Sequence, residues 1–148
     1  MRAALGVVLL TAVLTHPALA GLGGDALSID ADAQRMKGQT RSSAVAGCTE
    51  SHITLPSGTV VNEYVSSEGK VFAVTWEGAA MPDLSQTLGI YFTQYRAAAA
   101  LTPHSGHNHL AVRQQDLVVL TGGHMRAWVG KAYLVSLLPP NLPVDDIK

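Results

Sequence analysis

Apolar residues, many of them β-branched, predict three consecutive strands in the first half of the chain. Valine, isoleucine, threonine and aromatic residues are frequent in these runs, as strands prefer. Each run is followed by a turn sequence that contains a glycine, which takes positive φ at little cost. The predicted strands cover residues 50–55, 59–66 and 70–76.

The turn between the second and third runs predicts their register. If residues 67–69 form a three-residue hairpin loop, Tyr64 is expected opposite Phe72 and Val60 opposite Trp76. Both faces of this hairpin are then largely apolar. Either both faces are covered within the domain, or one of them is a surface for a partner.

A short helix is predicted before these strands, over residues 28–37. Ser28 is a candidate N-cap, and Gly38 suits the left-handed position after the last turn. The polar stretch that follows, residues 39–47 (QTRSSAVAG), is interpreted as a linker.

The clearest helix is predicted after the strands, between Asp83 and Pro103. Asp83 is the N-cap candidate, and Gln86 is placed to reach back to it in a capping box. Gly89 weakens the helix. One apolar stripe is interpreted as core packing; its residues are Leu84, Leu88, Tyr91, Phe92 and Tyr95.

The last third of the domain predicts a hairpin. Gly122-Gly123 is a strong two-residue turn signal. Pairing outward from it places Leu120 opposite Met125. The polar RQQD stretch, residues 113–116, is interpreted as a bulge, and residues 139–148 as an extended Pro-rich tail.

These elements predict an α+β fold. An antiparallel sheet, made of a three-stranded meander plus a C-terminal hairpin, carries one short N-terminal helix and one longer central helix. Residues 1–20 have a basic start, a short apolar run and a small-x-small site, which is typical of a secretory signal peptide. Residues 21–148 are expected to form a single domain, exported to the periplasm or secreted, with no transmembrane anchor after signal cleavage.

Composition narrows the classes of partner. The chain has 10 Lys and Arg against 11 Asp and Glu, with no basic cluster. Nucleic acid is therefore not an expected partner, because neutralising phosphates needs clustered cations. Cys48 is the single cysteine and is interpreted as a buried thiol; an intermolecular disulfide or a nucleophile are the alternatives.

Three histidines lie within six positions, in the stretch HSGHNH. Neutral imidazole binds zinc or copper, and three histidines with an open position resemble a catalytic zinc site. The alternative is a solvated connector between helix and strand, because a metal site also needs a fourth ligand and supporting partners. The candidate ligands are His104, His107 and His109; otherwise no cofactor is predicted.

Several blocks together resemble a known family. They are GTVVNEYVSSEGKVFAVTWEG, MPDLSQTLGIYF, RQQDLVVLTGGHMRAWVGKAYL and the closing VDDIK. In order and spacing they resemble the exported bacterial family of unknown function DUF2844, over the whole chain from about residue 21. The resemblance implies a bacterial, periplasmic or secreted protein and implies no activity. The histidine cluster falls between the blocks.

Three functions stay open. The first is a non-catalytic binding or structural domain of the periplasm or cell envelope, with a protein or envelope component as partner and with His124, Arg126 and Trp128 as a candidate surface. The second is a periplasmic metal binder. The third is an enzyme of unidentified class, for which no recognised motif is present although suitable residue types are; these are Ser105, Cys48, His124 and Asp116.

Overall fold

The computed structural model describes residues 21–45, 47–102 and 109–148. These residues form an α+β fold built on one antiparallel sheet of seven strands in the order β1-β2-β3-β4-β7-β6-β5. The strands are β1 (Gln39–Val45), β2 (Cys48–Thr54), β3 (Val60–Val65), β4 (Val71–Gly78), β5 (Leu110–Gln114), β6 (Leu117–His124) and β7 (Ala127–Leu134). The α+β class and the three strands predicted in the first half are confirmed.

The predicted linker is wrong, because residues 39–45 form β1. This strand pairs with β2 from Gln39 opposite Thr54 to Val45 opposite Cys48. Its side chains are exposed or half-buried throughout. An edge strand with little burial on either face has no apolar alternation to reveal it, which explains why the sequence suggested a loop.

A C-terminal hairpin is present and is formed by β6 and β7, but its predicted turn and register are wrong, and a further strand, β5, precedes it across a second turn. Gly122 and Gly123 lie inside β6, opposite Val129 and Trp128 of β7. The turns are at Gln115-Asp116 and at Met125-Arg126, and Gln115 and Arg126 have φ of 44° and 70°. The polar RQQD stretch therefore contains the end of β5 and the turn to β6, and it is not a bulge in one strand.

The predicted register of the β3–β4 hairpin holds only next to the turn. Ser66 N–H donates to the Lys70 carbonyl, so the loop has three residues as expected. A bulge then shifts the register by one, and Tyr64 lies opposite Ala73 while Val61, not Val60, lies opposite Trp76. The rings of Tyr64 and Phe72 nevertheless remain in contact, with centroids 6.2 Å apart.

Three helices cover one side of the sheet, which we call the helix face. They are α1 (Ile29–Arg35), α2 (Leu84–Thr87) and α3 (Phe92–Leu101), with 3-10 turns at Ala26–Ser28 and Gly89–Tyr91. Leu88 is fully buried and Tyr95 nearly so, which confirms that the predicted stripe contributes to the core. The residues of the sheet in the same apolar cluster as the helices include Ile53, Val61, Val65, Val74, Trp76, Val119, Ala132 and Leu134.

The central helix is shorter and more broken than predicted. Gly89 has φ of 52°, outside the right-handed helical region, and separates α2 from the rest. Asp83 is the N-cap, as predicted, and its carboxylate accepts from the backbone N–H of Ser85 at 2.9 Å. Gln86 makes no capping box, since its Oε1 has no hydrogen-bond partner among the described residues. The Ser28 hydroxyl likewise does not cap α1; it donates to the Asp25 carbonyl.

The opposite side of the sheet, which we call the tail face, is covered in part by residues 139–148, the tail segment. Ile147 is 1% exposed and packs in a second apolar cluster with Tyr64, Phe72, Ala73, Val118 and Tyr133. The segment contains a 3-10 turn at Val144–Asp146, and another, Val135–Leu137, precedes it. The Pro-rich tail thus packs on the sheet and includes a 3-10 turn, and both faces of the meander are at least partly covered within the domain.

Across the described ranges, no helix has both the length and the apolar character needed to cross a membrane.

Candidate functional site

A row of polar side chains crosses the tail face. Backbone pairing places His52 opposite Asn62, Asn62 opposite Thr75, and Thr75 opposite Lys131. Directly opposed residues of a sheet point to the same face, so these four side chains, which we call the polar row, project together. They come from β2, β3, β4 and β7.

Three members of the polar row form a continuous hydrogen-bonded chain. The Asn62 amide nitrogen donates to Thr75 Oγ1 at 3.2 Å, which leaves its carbonyl oxygen to accept from His52 Nδ1 at 2.8 Å. The Thr75 hydroxyl then donates to the main-chain oxygen of Lys148 at 2.9 Å. This order assigns the proton of His52 to Nδ1. Each bond polarises the next, so the chain is mutually reinforcing.

The polar row also holds the tail segment on the sheet. The Lys131 ammonium donates to the carbonyl oxygens of Val144 at 3.2 Å and Ile147 at 3.4 Å. The Tyr64 hydroxyl donates to the Lys148 main-chain oxygen at 2.6 Å. Burial of this hydroxyl raises the pKa of Tyr64 to about 12, so it remains a donor at every physiological pH.

A groove of about 840 Å³ lies beside the tail segment on this face. Its lining is mostly apolar, and its volume is within the range of small-ligand sites in proteins. Among the apolar side chains, Val129 is 53% exposed, and its exposed surface is available to an occupant. The main lining residues are Val60, Leu120, Val129 and Ile147, with Thr75, Lys131, Glu77, Asp145 and His109 adding polar groups.

Charges of both signs surround the groove. Lys131 lies half-buried in the lining, and Glu77 and Asp145 are exposed at its border. Within the described part of the chain, ion pairs join Arg35 to Asp32 and Lys70 to Asp25, His52 Nε2 lies 3.6 Å from Glu50 Oε2, and none of these contacts includes Lys131. The ammonium is bound by main-chain carbonyls and forms no ion pair with a carboxylate of the described residues.

The predicted metal ligands are only partly covered by the structure. His104 and His107 lie outside the described residues. His109 is exposed and its ring lies against Gly122, since a Cβ on that glycine would be 3.0 Å from His109 Cδ2. In the described ranges, no three His, Cys, Asp or Glu side chains are grouped as a metal ion requires.

The predicted interaction residues cluster at the turn between β6 and β7. His124 and Arg126 are exposed and Trp128 is half-buried. The His124 ring is close only to its own turn, with Nδ1 3.2 Å from the Met125 carbonyl oxygen. None of these three residues lines the groove, although Val129, next to Trp128, does.

Asp116 and His124, two of the described residues considered for catalysis, do not converge. They lie at opposite ends of β6. At 3.3 Å per residue, they are roughly 26 Å apart along the strand. Asp116 instead accepts from the backbone N–H and hydroxyl of Ser136. Burial raises the pKa of the Cys48 thiol, with Glu50 adding to the shift, so Cys48 is a poor thiolate source at neutral pH. Ser105 lies outside the described residues.

A buried acid lies on the other face of the sheet. Glu63 on β3 is 0% exposed, and neither of its carboxyl oxygens has a partner among the described residues. Burial, and secondarily the nearby Asp32, raises the pKa of Glu63 to about 8. Asp32 on α1 is itself bound by the Gly21 N–H at 2.9 Å, and burial raises its pKa too. Glu63 lines neither the groove of the tail face nor the smaller pocket beside α1, and its ionisation bears on the stability of the fold.

The polar row was missed by the sequence interpretation. His52, Asn62 and Thr75 occupy strands that were predicted correctly, but each looks like an ordinary polar position when its strand is considered alone. They come together because β2, β3 and β4 pair in a register set by the bulge at Tyr64 and Val65, and Lys131 joins them only because β7 pairs with β4; no local signal predicts the bulge or that neighbour. A polar residue flanked by buried ones in β4, at Thr75, was the available hint.

Comparison with known proteins identifies a family over nearly the whole chain. Residues 18–147 match the model of a family described as "Protein of unknown function (DUF2844)". The resemblance of the sequence blocks is thereby confirmed. No curated protein and no solved structure matched the chain.

Proposed function

The chain belongs to the DUF2844 family, and we propose that it is an exported, non-catalytic binding domain whose ligand lies in the groove of the tail face. The observation that carries this proposal is the groove itself: about 840 Å³, mostly apolar, beside a row of ordered polar groups. Concave apolar surfaces with a few fixed polar groups are the usual form of ligand sites.

The chemistry of the lining favours an amphipathic ligand. Leu120, Val60 and Val129 offer apolar contact, and Lys131 offers a cation that main-chain carbonyls alone satisfy. A ligand that removes this apolar surface from water stabilises the complex by about 25 cal/mol per Å² of apolar area buried. The polar groups then fix the orientation of the ligand.

Export is supported by the sequence of residues 1–20, which has the basic, apolar and small-residue regions of a signal peptide. The periplasm or the extracellular medium is therefore the proposed location. The non-catalytic part of the proposal is supported by the separation of His124 from Asp116 and by the raised pKa of Cys48.

A fluorescent apolar probe tests the groove. The dye 8-anilinonaphthalene-1-sulfonate is titrated into the folded protein and into two variants, Val129→Asn and Val135→Asn. These valines are matched, with 53% and 51% of their surface exposed, but Val129 alone lines the groove. Losing one apolar contact of this size weakens binding by about tenfold.

We expect Val129→Asn to weaken dye binding about tenfold and Val135→Asn to leave it within about twofold of the parent. Circular dichroism establishes that both variants are folded, because unfolded chains also bind the dye. Equal affinity for the three folded proteins would contradict the proposed site.

A further inference from the structure

The tail segment is held on the sheet in the manner of a bound peptide. Main-chain oxygens of the segment are its principal polar contacts, and the donors are side chains of the sheet. Lys131 binds the carbonyls of Val144 and Ile147. Tyr64, Thr75 and Asn62 all donate to the main-chain oxygen of Lys148, at 2.6, 2.9 and 3.2 Å.

Apolar side chains of the segment pack on the sheet: Leu142 and Val144 are half-buried there, and Ile147 is the most deeply buried. Ile147 is 1% exposed, within the cluster around Tyr64 and Tyr133. The side chains of Asp145, Asp146 and Lys148 are exposed. The surface therefore binds the main-chain oxygens of a segment that makes one 3-10 turn, together with one deeply buried branched aliphatic residue, while the neighbouring charged side chains remain in solvent.

The segment is also separable from the sheet. It is not one of the seven paired strands, so its release breaks no strand ladder. The first part of the segment, residues 139–143 (PPNLP), leads from the domain to the docked residues 144–148. Its three prolines limit the conformations of this connection. Another peptide of the same chemistry has the same donors and the same apolar pocket available once the segment leaves.

Resting on the proposed function, we further propose that the natural ligand of the groove is a peptide segment of a partner protein that docks in the conformation of the tail segment. Its aliphatic residue occupies the Ile147 position, its carbonyls bind Lys131, Tyr64 and Thr75, and its remaining residues extend along the apolar groove. The tail segment is then an internal competitor that occupies the peptide site in the free protein.

A labelled peptide with the sequence of residues 141–148, NLPVDDIK, tests this competition by fluorescence anisotropy. The proteins are the parent chain, Ile147→Ser, which weakens the internal competitor strongly, and Ile147→Val, which weakens it mildly and keeps the core filled. The control peptide carries serine at the Ile147 position. When the tail segment occupies the site in a smaller fraction of the protein, more of the protein is free to bind. The apparent Kd of an added peptide falls in proportion to the free fraction.

We expect saturable binding to Ile147→Ser at least tenfold tighter than to the parent, a several-fold gain for Ile147→Val, and no saturation with the serine peptide. If Ile147→Ser does not fold, the Ile147→Val comparison decides alone. The inference is overturned if folded Ile147→Val binds no tighter than the parent, if the two peptides bind alike, or if loosening the segment only produces dimers of the chain. Dye binding that still depends on Val129 in those cases would leave the proposed function standing.

Discussion

The indole ring of Trp76 lies directly against the backbone of Gly130, its cross-strand partner in β7. A Cβ on Gly130 would be 2.3 Å from Trp76 Cζ2, a separation at which the ring must move. Trp76 is 1% exposed in the centre of the sheet. The large ring therefore fills the space that the missing side chain leaves, as aromatic residues do across from glycine in a strand.

Gly130→Ala is accordingly expected to destabilise the protein by about 2 kcal/mol, because the added methyl overpacks this contact. Thermal or denaturant unfolding measures the loss. A double-mutant cycle with Trp76→Phe supplies the control, since a smaller ring gives the methyl room and the same substitution should then cost less. An equal cost in both backgrounds would show that contact with Trp76 is not the cause.

The raised pKa of Glu63 makes the free energy of unfolding depend on pH. Its folded pKa of about 8 lies above the ordinary value of 4.5, so the unfolded chain loses this proton more easily. Stability should be highest at acidic pH and fall as pH rises from 4.5 to 8, by at most about 5 kcal/mol. Glu63→Gln removes the ionisation, and we expect it to raise the free energy of unfolding at pH 8 while changing it little at pH 5.

Urea unfolding between pH 5 and 9 measures this difference. Glu68→Gln is the control, because Glu68 is exposed on the turn between β3 and β4 and its replacement should leave the pH profile unchanged. A parent protein whose stability is the same from pH 5 to 9 would show that Glu63 is not buried as an acid.

The hydrogen bond from the Tyr64 hydroxyl is expected to anchor the tail segment on the sheet. Tyr64→Phe removes the donor at 2.6 Å from the Lys148 main-chain oxygen, which should cost about 1 kcal/mol and speed amide exchange in residues 144–148. Tyr133→Phe is the matched control, because Tyr133 packs in the same cluster. Comparable exchange rates in the two variants would contradict this role.

The metal hypothesis for His104, His107 and His109 makes a separate prediction. Calorimetric titration of the untagged protein with Zn²⁺ or Cu²⁺ should give stoichiometric binding at micromolar or tighter Kd, lost when all three are replaced by alanine. Equal weak heats from both proteins would exclude the metal site and leave the stretch as a connector.

Local sequence signals predicted those parts of the fold whose causes are local. The strands containing Ile53, Val61 and Val74 have β-branched residues and glycine turns, and Asp83 is a recognisable N-cap. The turn at Met125-Arg126 had no such signal, since it uses a non-glycine residue at φ of 70°. Gly122-Gly123 carried the stronger turn signal and yet lies within β6, because pairing with β7 overrides it.

The candidate site depended on relationships that no local pattern contains. Lys131 joins Thr75 only because β7 lies between β4 and β6, a non-local arrangement. The tail segment has the prolines of a free tail, and its docking depends on Ile147 finding a pocket formed by residues distant in sequence. The predicted strands and helices were sufficient to assign the class of fold, but they were insufficient to predict the position of the groove.

Nuclear magnetic resonance locates the ligand site most directly. In ¹H–¹⁵N spectra recorded while 8-anilinonaphthalene-1-sulfonate is added, we predict the largest shifts at Val60, Leu120, Val129 and Lys131, all of which line the groove. Shifts centred instead on Leu27 or Leu101, the most exposed apolar side chains elsewhere in the described structure, would contradict a binding site in the groove.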